Sequence, residues 1–162
     1  MNIVLIGMPG CGKSTVGVIL AKTIGVNFVD TDILIQQREG RLLQSIIDTD
    51  GIQKFLDREA EAIIELECDN SVIATGGSVV FRKEAIEHLK KNGKIFYLNV
   101  KLNEIKNRLN NISTRGIAAE KGKSIDEIFA EREALYLKYA DCVLDLENSS
   151  VEETIEKILK NI

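Results

Sequence analysis

Gly7-Met8-Pro9-Gly10-Cys11-Gly12-Lys13-Ser14-Thr15 follows directly on the apolar run Ile3-Val4-Leu5-Ile6. This is the G-x-x-x-x-G-K-[ST] spacing of a Walker A phosphate-binding loop. It stands where such a loop must stand, with a buried strand before it and a helical pattern of Val16, Ile19, Leu20 and Ile24 after it. Glycines at 7, 10 and 12 let the backbone turn tightly and approach a phosphate, with successive N–H groups pointing inward as an anion nest. The helix opening near Lys13 adds the positive end of its dipole. Gly10, Cys11, Gly12 and Thr15 are therefore expected around the phosphates. Lys13 is expected at the β- and γ-phosphates, and the Ser14 hydroxyl on Mg2+. The implied ligand is a nucleoside triphosphate with magnesium, and the implied fold is a parallel α/β sheet.

The rest of the chain agrees with that class. Its 162 residues suit one domain with a sizeable core. A formal net charge of −4, from 21 Lys and Arg against 25 Asp and Glu, argues against nucleic acid as a partner, because such binders carry a basic face. The charge also suits a monomer. No apolar run has the length of a membrane span, and the first residues enter a strand at once, so a cytoplasmic protein is expected. Cys11, Cys68 and Cys142 show no metal-type spacing and should be reduced thiols. Cys11 lies inside the loop, where oxidation would block nucleotide binding; the plainer reading is a small residue at a tolerant position. His88 is the only histidine and sits in a polar helical pattern, which excludes histidine triads and zinc sites.

Strand-like runs recur at 3–6, 28–29, 71–74, 95–98 and 142–146. Helical patterns separate them at 13–25, 32–48, 52–67, 82–91, 103–111, 124–139 and 151–161. That alternation reads as β-α-β units. Ser124-x-x-Glu127 and Ser150-x-x-Glu153 are capping boxes. Residues 110–124 are polar, contain glycine and have no period, the composition of a lid that keeps water from a reacting phosphate.

A phosphate loop alone does not separate kinases from other nucleotide enzymes. The chain lacks the Asn-Lys-x-Asp guanine signature and is too small for a motor domain. Asp30-Thr31-Asp32 ends a strand at the sheet edge where ligands bind. In an extended segment residues 30 and 32 face the same way, so one carboxylate can serve magnesium while the other accepts a hydroxyl proton. A helix cap at Thr31 or Asp32 is compatible with both roles. Thr75-Gly76-Gly77-Ser78 offers further backbone N–H groups after the third strand.

Taken in order and spacing, Gly-x-x-Gly-x-Gly-Lys-Ser, Asp-x-Asp, Gly-Gly-x and Arg132-Glu-Ala-Leu-Tyr136 resemble the shikimate kinase family over essentially the whole chain. The resemblance implies a three-layer P-loop NTPase fold with five parallel strands in the order 2-3-1-4-5, flanked by helices. It implies one kinase domain over 1–162, with a substrate-binding subdomain at 32–60 and a lid at about 110–124. The γ-phosphate of MgATP would pass to the 3-hydroxyl of shikimate. Lys13, Asp32 and Arg115 would be catalytic, Arg115 neutralising the transferring phosphoryl. Asp30 would stand on the magnesium side, and Arg108 would pack against adenine. Arg132 would pair with the shikimate carboxylate, and Gly76 and Gly77 would meet the substrate hydroxyls.

Three positions depart from the family pattern. Phe-Arg-x-x-Glu reads Phe55-Leu56-Asp57-Arg58-Glu59, the third glycine of Gly-Gly-Gly is Ser78, and the lid Arg-Pro-Leu-Leu is Arg115-Gly116-Ile117-Ala118. Arg58 does not replace the missing arginine, because two residues along a helix turn a side chain by roughly 200°. Leu56 also reads as one more member of an apolar face with Ile52 and Ile63. Three readings stay open: a shikimate kinase, a kinase of another small hydroxylated metabolite, and an ATP-binding regulatory protein without kinase activity.

Overall fold

In the computed structural model, which describes residues 1–110, 117–119 and 121–162, the strand preceding the phosphate loop is the centre of the sheet. This strand, β1 (Asn2–Ile6), is buried at every residue. The other strands are β2 (Asn27–Asp30), β3 (Ser71–Ala74), β4 (Gly93–Asn99) and β5 (Cys142–Asp145). All neighbouring pairs are parallel and the order is β2-β3-β1-β4-β5, as expected. A central strand covered on both faces must be apolar throughout, which Ile3-Val4-Leu5-Ile6 supplies.

Helix α1 (Lys13–Ile24) follows the loop, and α2 (Thr31–Glu39), α3 (Leu43–Asp50) and α4 (Ile52–Ile64) connect β2 to β3. The single helix expected over 32–48 is two. Gly40 ends α2 in the left-handed conformation at φ +66°, and its N–H bonds the Gln36 carbonyl. A short 3₁₀ turn at Val79–Phe81 and α5 (Lys83–Lys91) lead to β4. Then come α6 (Leu102–Asn110), α7 (Ile125–Tyr139), β5 and α8 (Val151–Leu159). Both expected capping boxes form: Ser124 and Glu127 cap α7, and Ser150 and Glu153 cap α8, each serine hydroxyl accepting from the glutamate N–H.

The main core packs around β1, β3 and β4. A second, smaller core, with Ile35, Ile46, Phe55 and Leu56 at its centre, holds α2, α3 and α4 together. An ion network braces the same unit: Arg58 on α4 contacts Glu39 and Asp50, and Arg41 contacts both of those carboxylates too. Residues 111–116 and 120 of the expected lid, Arg115 among them, lie outside the described residues.

Candidate active site

The carboxyl ends of β1, β2 and β3 open into a cavity of about 310 Å³. Gly10, Gly12, Lys13 and Ser14 line one end, and Asp32, Gly76, Gly77 and Arg132 the other. The four segments carrying these residues are far apart in sequence. Parallel order brings them to one edge, because every strand exits on the same side.

At the phosphate end, α1 starts at Gly12 with φ +99°, a left-handed backbone that a side chain would strain. Lys13 is nearly buried. Its Nζ donates to the carbonyls of Gly7 at 2.8 Å and Met8 at 2.9 Å and lies 3.6 Å from Cys11 Sγ. The ammonium is thus tied to the loop it would leave for a phosphate. Ser14 Oγ donates to Asp30 Oδ2 at 2.7 Å. Those two hard oxygens fit Mg2+, which is bound by few protein oxygens together with phosphate and water.

Asp30 has a second role. Its Oδ1 accepts from the N–H groups of Asp32 at 3.0 Å and Ile33 at 3.3 Å, so Asp30 is the N-cap of α2. The reading of 30–32 as one extended segment therefore fails: the strand ends at Asp30 and Asp32 is already helical. Both carboxylates still line the same cavity. What brings them there is the strand-to-helix turn rather than strand alternation.

At the other end, Gly76 N donates to the buried Thr31 Oγ1 at 3.1 Å, and Tyr136 Oη donates to the Gly77 carbonyl at 2.5 Å. The backbone after β3 is thereby tied to both α2 and α7. Arg132 is 2 % exposed and stacks over the Phe81 ring at 5.2 Å. Its Nη2 donates to the Ala118 carbonyl. Nε and Nη1 are buried with no hydrogen-bond partner among the described residues. A buried guanidinium that lines the cavity and keeps Nε and Nη1 without a partner among the described residues suits an anion, since leaving such donors unpaired is costly.

Glu59, overlooked as a functional candidate, is fully buried beside this end. Its Oε2 accepts from Ser78 Oγ at 2.8 Å, and Oε1 has no partner among the described residues. Burial pushes its carboxyl up to about 8; the Ser78 hydrogen bond offsets part of that, and the nearby charge of Asp32 adds to it. The glutamate of Phe-x-x-x-Glu was the available signal.

Leu56 does not line the main cavity. It is buried in the second core and borders a smaller cavity of about 140 Å³ with Phe81, Ala118 and Arg132. It packs with Ile52 as expected, whereas Ile63 belongs to the main core. Arg58 is engaged by Glu39 and Asp50, so it is not available to a ligand in the main cavity.

A separate cleft of about 160 Å³ runs past the phosphate loop and is lined by Cys11, Thr15, Val100, Arg108 and Leu146 among others. Arg108 donates to the Gly10 carbonyl at 3.3 Å and pairs with Glu104. Cys11, Cys68 and Cys142 are free thiols, and Cys11 is buried. Among the described residues there is no group of three or more His, Cys, Asp or Glu arranged to hold a metal. None of their helices is long and apolar enough to cross a membrane.

A family model described as shikimate kinase matches residues 9–162. The chain is 40 % identical to a shikimate kinase of Thermodesulfovibrio yellowstonii over 98 % of its length and 93 % of the relative's. It is 36 % identical to one of Caldanaerobacter subterraneus, covering 98 % and 94 %. Among solved structures it is similar to the shikimate kinase of Acinetobacter baumannii in complex with shikimate, with a TM-score of 0.86 and 27 % identity over 99 % of this chain and 91 % of that one. It is also similar to the shikimate kinase of Aquifex aeolicus, with a TM-score of 0.83 and 31 % identity, covering 99 % and 95 %.

Proposed function

This chain belongs to the shikimate kinase family, and from that we infer how its own residues carry the family reaction. It is an ATP-dependent phosphotransferase that uses Mg2+ and acts on a hydroxyl group, with shikimate as the acceptor and the 3-hydroxyl as the atom phosphorylated. The observation that carries the reading is the single cavity with the phosphate loop at one end and Asp32 and Arg132 at the other.

ATP enters with its phosphates on the loop N–H groups and the start of α1. Lys13 exchanges the Gly7 and Met8 carbonyls for the β- and γ-phosphates. Ser14 and Asp30 hold the magnesium ion, which supplies charge neutralisation when bound. The cleft beside Arg108 takes the adenine. Arg132 grips the acceptor carboxylate through Nε and Nη1. Asp32 takes the proton of the attacking hydroxyl, and the backbone at Gly76 and Gly77 positions the neighbouring hydroxyls. Arg115, outside the described residues, is assigned to the transferring phosphoryl by family likeness, as is the lid role of 110–124. Phosphoryl transfer asks chiefly for such positioning and charge stabilisation.

The α2–α4 unit, which contains 32–60 and is braced by its own core and ion network, serves as the acceptor-binding subdomain of one catalytic domain. The protein works as a cytoplasmic monomer on small molecules, without nucleic acid or membrane. The buried Leu56 leaves the acceptor carboxylate to Arg132 among the described residues. The test is ADP release from MgATP with and without millimolar shikimate, with identification of the phosphorylated product. Shikimate-dependent turnover giving the 3-phosphate is expected. Turnover no higher than the background ATPase would refute the reading.

A further inference from the structure

The Arg132 guanidinium is always charged and is buried, so its orientation must be held by the protein around it. Nη2 donates to the neutral carbonyl of Ala118, while Nε and Nη1 have no partner among the described residues. One bond leaves a planar group free to pivot. There is also room to pivot, because Arg132 lines the smaller cavity of about 140 Å³ together with Leu56 and Phe81. Close packing does not hold the guanidinium on that side. The ring of Phe81 does, with its centroid 5.2 Å from Cζ.

The ring is itself placed by the acceptor end of the site. Phe81 closes the 3₁₀ turn that follows Gly76 and Gly77, and its N–H donates to the Ser78 carbonyl at 3.0 Å. Its side chain packs against the core of the α2–α4 unit, as does Ala118. Arg132 comes from the other side, on α7. Four residues further along that helix, and so on the same face, Tyr136 donates to the Gly77 carbonyl. An ideal Cβ on Gly77 would lie 3.1 Å from Arg132 Nη1, so that nitrogen stands beside backbone that lines the main cavity.

We propose that Phe81 is a positioning residue of the acceptor site, whose ring holds the Arg132 guanidinium by cation–π attraction so that Nε and Nη1 are free for the acceptor carboxylate. This rests on Arg132 as the group that grips that carboxylate.

A carboxylate could hold the guanidinium as firmly, but it would occupy the donors that the acceptor needs. The π face attracts the cation without using an N–H. An aliphatic side chain would fill the same space and offer no such attraction. Without the ring the guanidinium swings into the smaller cavity for part of the time. Apparent affinity for the acceptor then falls by the fraction of molecules that keep the productive orientation.

The test is KM and kcat for shikimate in the wild type, Phe81→Leu, Phe81→Tyr and a series with mono-, di- and trifluorinated phenylalanine at 81. Fluorination drains the π face and hardly changes the volume of the ring. Phe81→Leu should raise KM about tenfold, with kcat within about threefold and the Kd for ATP unchanged. Phe81→Tyr keeps the π face and should hold KM within about twofold of the wild type. KM should climb with each added fluorine. In an Arg132→Ala background Phe81→Leu should have no further effect on KM. An unchanged KM in Phe81→Leu, a flat fluorine series, or an equal loss in the Arg132→Ala background would overturn the proposal. The fluorine series decides the point if Phe81→Leu fails to fold. A further measurement needs no turnover: nitrogen NMR of the Arg132 guanidinium, assigned through Arg132→Lys. Rotation about Nε–Cζ should be hindered in the wild type and faster in Phe81→Leu and the trifluorinated protein. Equal rotation in all three would refute the stacking role. Absence of turnover with shikimate in the wild type would instead refute the proposed function, and the NMR comparison would still decide whether Phe81 holds Arg132.

Discussion

Replacing Gly76 with alanine would put a methyl carbon 2.5 Å from Glu59 Oε1 and 2.9 Å from Asp32 Oδ1. Those separations fall short of ordinary contact by about 1 Å and about 0.6 Å. Gly76 is not among the residues with positive φ, so alanine meets no backbone strain and the cost comes from the two contacts alone. Glu59 is fully buried, whereas Asp32 is half-buried in the first turn of α2, so Asp32 gives way more easily. Overpacking of this kind costs about 1–3 kcal/mol. For a chain of this size that lowers Tm by roughly 3–10 °C. A displacement approaching 1 Å at a reacting group costs up to about a hundredfold in rate. Gly76→Ala should therefore lower kcat with shikimate by about 30- to 100-fold while the Kd for ATP stays within about twofold, because the phosphate loop is a separate segment. Steady-state ADP release, thermal melting and ATP titration measure the three quantities. A folded variant with a lowered Tm and kcat within threefold of wild type would refute the role given to Asp32. An unchanged Tm would show that the Gly76 gap is soft.

Asp32→Asn should remove detectable phosphoryl transfer and leave ATP affinity nearly unchanged; a collapse of ATP affinity by titration would place Asp32 on the nucleotide side instead. Leu56 borders the smaller cavity that Arg132 also lines, so the longer side chain of Leu56→Arg should reach the carboxylate beside Arg132 and lower the KM for shikimate by about tenfold or more. It should also lower stability by about 2 kcal/mol through lost apolar burial. An unchanged KM in the folded variant would mean that the site needs no second guanidinium. Stability should depend on pH through Glu59. Between its ordinary value of 4.5 and about 8, the native protein holds a proton that the unfolded chain has released. Folding then takes up a proton, so stability falls with rising pH by about 1.4 kcal/mol per unit. Urea unfolding at pH 5.5, 6.5 and 7.5 should show that slope in the wild type and not in Glu59→Gln; equal slopes would contradict it.

Residues 3–15 alone determined the ligand class and the parallel sheet. Strand, loop and helix are contiguous there, and a phosphate cradle is built from local backbone turns that glycine, lysine and serine specify directly. The capping boxes at Ser124 and Ser150 were legible for the same reason, since both partners of each bond lie within one turn. Asp30 lines the cavity with Asp32, but its work as the cap of α2 depends on where the strand stops. That is settled by the two N–H groups the carboxylate captures. Only the tertiary structure decided the acceptor end. Ser78 meets Glu59 across 19 residues, Gly76 meets Thr31 across 45, and Tyr136 meets Gly77 across 59. Whether Leu56 faced a ligand or a core likewise turned on how α4 docks against α2 and α3. Such contacts have no periodic signature in the chain, because docking is set by the sum of many apolar contacts over the whole unit and by no single local rule.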